Sequence, residues 1–92
     1  MRKDKRWTKI IIRVLSGEKN IPSPFSEEGK IESVFIVVLK DTKMGYGMIW
    51  CSKTHRGIHL SRMQVPDTVN YLFSDEIVNL DHVPQIKFEQ IG

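Results

Sequence analysis

At 92 residues, 40% hydrophobic and 27% charged, the chain is sized for one globular domain, and this balance excludes both a second core and a disordered polymer. No apolar stretch approaches the about 20 residues of a membrane span, and one cysteine, Cys51, excludes an intramolecular disulfide. The net charge of +3 conceals a polarity: residues 1–63 hold 13 Lys or Arg against 6 Asp or Glu, whereas residues 64–92 hold 1 against 5.

The basic part therefore points to an acidic partner. The single cysteine favours a reducing compartment, and the run Ile10-Ile11-Ile12 is too short for the core of a secretory signal. The expected localisation is cytoplasmic.

In chain order, residues 1–6 read as a flexible basic arm, leaving residues 7–92 as one β-rich domain. Residues 9–15 read as a first strand, with Ile10, Ile12 and Val14 on one face and Ile11, Arg13 and Leu15 on the other. Ser16 to Gly29 follows as a 14-residue connection. Pro22 and Pro24 force extended backbone before them, and Ile21 and Phe25 are positioned to pin this loop to the domain.

The run Val34-Phe35-Ile36-Val37-Val38-Leu39 has the pattern of a strand buried on both faces, placing the central strand at residues 31–40. Residues 45–51 and 57–63 read as the second and third strands of a meander. If Cys51 opposes Gly57 across a five-residue loop, Trp50 faces Ile58 and Met48 faces Leu60. Tyr46 then shares their apolar face, while Cys51 and His59 share the other.

Beyond Pro66, Val69, Tyr71 and Phe73 alternate as in a short strand, with a turn at Ser74-Asp75 before Glu76-Ile77-Val78. Val69, Leu72, Phe73 and Ile77 also fit helical spacing behind Asp67 as N-cap, so a short helix near residues 67–78 is the alternative. Residues 85–89 alternate as an edge strand, with Lys87 and Glu89 outermost to discourage edge pairing. The expected fold is mostly β: a small antiparallel barrel of five to six strands.

This layout resembles SH3-like and Sm-like small barrels through the central hairpin and Gly57-Ile58-His59-Leu60 followed later by Glu76-Ile77-Val78. Ser61 and Arg62 stand where the Sm-type signature would continue, so the resemblance implies fold only.

Cys51, His55 and His59 have a Cys-x3-His-x3-His spacing with zinc-type donors, and His82 would be the remaining ligand. A single cysteine and the absence of paired knuckles argue against a metal centre, so no metal and no cofactor are expected. Cys51 and His59 would also be the thiol and base of a nucleophilic pair, but no orienting group accompanies them. The carboxylate pairs Glu27-Glu28 and Asp75-Glu76 are adjacent in sequence and diverge. A non-enzymatic protein is the expectation.

The expected function is a small binding module contacting nucleic-acid backbone. The residues assigned to that contact are Arg2, Lys3, Lys5 and Arg6 of the arm and Lys53, His55, Arg56 and Arg62 around the second hairpin loop. Trp7 at a strand start, and Tyr46 and Trp50 on the apolar face, read as core rather than as stacking platforms. The alternative partner is a protein, or a second copy, engaging an edge strand or the 16–29 loop.

Overall fold

The computed structural model describes residues 3–76, 80–81 and 83–91. Three strands carry the main sheet: β2 (Ile31–Leu39), β3 (Met44–Cys51) and β4 (Arg56–Gln64), joined as an antiparallel meander. The short strands β5 (Tyr71–Phe73) and β6 (Lys87–Phe88) extend it at either edge, in the order β5-β2-β3-β4-β6. Both edge strands run parallel to their neighbours. A separate parallel pair joins β1 (Lys3–Asp4) to β7 (Gln90–Ile91).

The fold is mostly β, as expected, but its five-stranded sheet is open and mixed and not the small antiparallel barrel expected. Closure requires the two edges to pair with each other. Here they are three and two residues long and sit at opposite ends of the sheet, and each face has its own cover. What persists of the expected layout is the β2–β3–β4 meander. No helix occupies residues 67–76; the strand-and-turn alternative holds there, and residues 77–79 lie outside the described residues.

The expected first strand is instead the helix α1 (Arg6–Leu15). Three consecutive isoleucines are poor helix formers and read as strand, but tertiary packing decides. Trp7, Ile10 and Val14, at helical spacing, bury against Phe35, Val37, Ile49 and Ile58 on one face of the sheet. Ile12 points outward, 64% exposed, where an alternating strand would have buried it.

The helix stops at a Schellman turn. Gly17 N–H donates to Val14 O (3.0 Å) and Glu18 N–H to Arg13 O (3.1 Å), with Gly17 at φ +89°. Thr68 Oγ1 takes a further terminal carbonyl, donating to Leu15 O at 2.5 Å.

The opposite sheet face buries Val34, Ile36 and Trp50 beneath Leu80, Val83 and Ile86. Of the run 34–39 expected to be buried on both faces, residues 34–37 are buried, whereas Val38 and Leu39 are exposed because β2 runs past the cover on that face. Burying each such side chain contributes about 1.5–3 kcal/mol.

The β3–β4 register differs by one residue from the expected one. Trp50 opposes Gly57, Ile49 opposes Ile58 and Met48 opposes His59, because the connecting loop is one residue shorter than expected. His55 closes it at φ +59°, its N–H donating to Cys51 O (2.9 Å). With a side-chain period of two, a slip of one residue moves every β4 side chain to the other face. Ile58 therefore joins the helix-side core, while His59 comes to lie beside Tyr46.

A β-carbon at Gly17 would meet Thr68 O at 2.9 Å in a left-handed backbone. Gly17→Ala is expected to lower stability by about 1–2 kcal/mol, read as a reduced urea midpoint at unchanged slope.

Candidate binding surfaces

The candidate residues separate into three groups. Arg2 lies outside the described residues. Lys3 is in β1, opposite Gln90; Lys5 is the exposed N-cap of α1, and Arg6 opens the helix. Lys53, exposed, and His55, half-buried, occupy the β3–β4 loop, and Arg56 opens β4. Arg62 lies six residues further along β4, about 20 Å away at 3.3 Å per residue.

Phe25 brings the arm and the loop together. The guanidinium carbons of Arg6 and Arg56 lie over its ring, 4.6 and 4.1 Å from the centroid. Trp7 packs against the same ring at 4.9 Å. Arg6 Nη1 donates to Pro24 O at 3.2 Å. The 16–29 connection is thereby fastened through Phe25, and also through buried Ile21, whose carbonyl accepts from Ile31 N–H (2.9 Å).

Arg56 is already engaged. Its Nη2 donates to Glu89 Oε1 at 2.9 Å and its Nε to Glu89 Oε2, a two-point clamp on one carboxylate. The indole Nε1 of Trp7 donates to Glu89 Oε1 as well, at 3.3 Å. Glu89, expected at an outer edge, instead joins β4, α1 and the C-terminal segment. Ile86 and Phe88 lie on the opposite sheet face, which turns Glu89 towards the helix side.

The helical correction reveals a basic face that the strand reading concealed. At 100° per residue, Lys5, Lys9, Arg13 and Arg6 fall within about 100° of arc, roughly opposite Trp7 and Val14. Arg6, Lys9 and Arg13 line a groove of about 340 Å³ against Pro22, Ser23 and Pro24, with no acidic side chain in its wall. Arg13 also pairs with Glu18, Nε to Oε2 at 2.8 Å. Lys5 and Lys9 have no acidic partner among the described residues.

A second groove, of about 600 Å³, lies on the sheet face away from α1. Val38, Leu39, Met44 and Tyr46 form its walls with His59, and Ser61 and Arg62 lie at its rim. Tyr46 stacks on His59 at 5.7 Å, and Phe88 meets His59 edge-on at 6.2 Å.

Cys51 and His59 project from opposite sheet faces, so the expected shared face is corrected and the thiol and imidazole do not meet. Among the described residues no cluster of three metal-ligating side chains forms. Cys51 is buried, and Ser23 Oγ donates to its Sγ at 3.0 Å. Burial pushes this thiol up. Hydrogen bonds from Ser23, the Thr54 side chain and the Thr54 and Lys53 backbone outweigh that and bring it down to about 7. Comparison with family models, curated proteins and solved structures finds no match to this chain.

Glu89→Ala removes the carboxylate shared by Arg56 and the Trp7 indole and is expected to cost about 1.5–3 kcal/mol. Asp67→Ala, which breaks the exposed Lys43–Asp67 pair, is expected to cost under about 1 kcal/mol. Urea unfolding of both variants checks the contrast.

Because the Cys51 pKa is lowered on folding from 9.0 to about 7, ionisation of the thiol favours the folded state. That stability is complete above pH 9 and is lost as pH falls through 7. Unfolding midpoints of wild type and Cys51→Ala, measured from pH 6 to 9, should diverge as pH rises; parallel profiles would refute the assignment.

Proposed function

We propose that the protein is a non-enzymatic binding module whose basic helical face contacts nucleic-acid backbone. The observation that carries this reading is the arc of Lys5, Arg6, Lys9 and Arg13 beside a groove free of acidic side chains. Two further features support it. The helix begins without a side-chain cap and without an acidic residue in its first turn. The N-terminal end of its dipole and the adjacent Lys5 ammonium therefore carry like-signed potential, which an anion relieves.

The contact is with phosphate rather than bases. Trp7 is fully buried and Phe25 is already stacked, so the basic face offers no free aromatic platform. A lipid surface fits less well, because the apolar side of α1 is consumed by the core and only Ile12 points outward. Relative to the expected site, Lys9 and Arg13 are added, while Arg56 is committed to Glu89 and Arg62 stands apart.

Fluorescence anisotropy with labelled duplex and single-stranded oligonucleotides across a salt series tests the reading. With two to three phosphates neutralised, log K on duplex is expected to fall with log salt at a slope of about −2. The double variant Lys5→Glu with Lys9→Glu should abolish binding, Glu18→Gln should strengthen it by releasing Arg13, and Arg62→Ala should leave it unchanged. No binding at low salt, or binding insensitive to salt, would overturn the proposal.

A further inference from the structure

The second sheet face carries a separate feature. The C-terminal segment covers Trp50 and Met48 but leaves the other end of the face bare, where Val38 is 50% and Leu39 55% exposed. Phe88, also 55% exposed, lies beside this end against His59. The groove between Val38, Tyr46 and His59 is apolar, and no acidic residue lines it.

The backbone edge beside it is open among the described residues. Strand β6 pairs with β4 only at Arg56 and Gly57. Lys87 N–H donates to His55 O and Glu89 N–H to Gly57 O, both at 2.8 Å, so odd-numbered peptide groups of β4 point outward there. The alternation continues through His59 and Ser61, whose outward N–H and C=O groups take no partner among the described residues. A β-bulge follows, where Gly45 and Gly47 oppose Met63 and Leu60, with Arg62 at φ +51°. Arg62 is exposed and has no acidic partner among the described residues.

We propose that this edge, with its groove, accepts a short extended segment of a partner protein by strand addition. The segment continues the line of β6 along His59 to Ser61, sets alternate apolar side chains into the groove, and places a carboxylate against Arg62. The charge selects such a partner over a second copy. From Arg56 to Gln64, β4 contains no acidic residue, so edge-to-edge self-pairing leaves both Arg62 side chains unmatched. The surface is separate from the basic helical face, and neither proposal depends on the other.

A random heptapeptide display library panned on the intact protein tests this. Enriched peptides are expected to alternate apolar residues and to carry Asp or Glu at a fixed end. Arg62→Glu should weaken them by about tenfold, and Ser61→Pro should abolish binding by blocking the edge. Should Ser61→Pro fail to fold, protection of the His59 and Ser61 amides from hydrogen exchange on adding a selected peptide replaces it. The proposal fails if nothing is enriched over an unrelated protein, or if enriched peptides are indifferent to Arg62→Glu. It also fails if light scattering shows that a second copy of the chain occupies the edge.

Discussion

Residues 34–37 have no solvent side, and the rest of the chain answers to that constraint. A strand buried on both faces needs a cover on each, and 92 residues supply two: one ten-residue helix and one C-terminal segment. The helix covers its side through Trp7, Ile10 and Val14. The segment reaches only part of the other, which is why Val38 and Leu39 stay bare where β2 runs past its cover. The same shortage of chain explains the edges, since β5 and β6 are too brief to flank the full length of β2 and β4.

The central meander was legible because its signals are local: a β-branched run, polar turn residues, and alternation in β3. The helix was hidden by Ile10-Ile11-Ile12, whose composition favours a strand while Trp7, Ile10 and Val14 satisfy a helical period; over so short a segment both patterns fit. The informative residue was Gly17, which lies in the segment read as a connection and is the helix stop. The register error came from a loop count of one, a quantity no side chain encodes. Its consequence was large, because it separated Cys51 from His59 and set His59 on Tyr46 instead.

The candidate site was half legible for the same reason. Arg6 and Arg56 were identified as basic, but their convergence on Phe25 joins residues 19 to 50 positions apart. Glu89, which decides that Arg56 is occupied, comes from the far end of the chain. Lys9 and Arg13 could be grouped with Lys5 and Arg6 only once the segment was helical. Charge counts located the basic half; packing decided which cations remain available.

The pairing of β1 with β7 sets Lys3 beside Gln90 with the two segments running the same way. The chain therefore enters this parallel pair at one end, through β1, and leaves it at the other, through β7. Tension drawn through both ends would pull the two segments past each other along their length, loading their hydrogen bonds side by side instead of peeling them singly. The Glu89 carboxylate, one residue before β7 and gripping Arg56 and Trp7, lies directly behind that junction. This geometry makes the β1–β7 pair a clasp on the sheet and helix behind it.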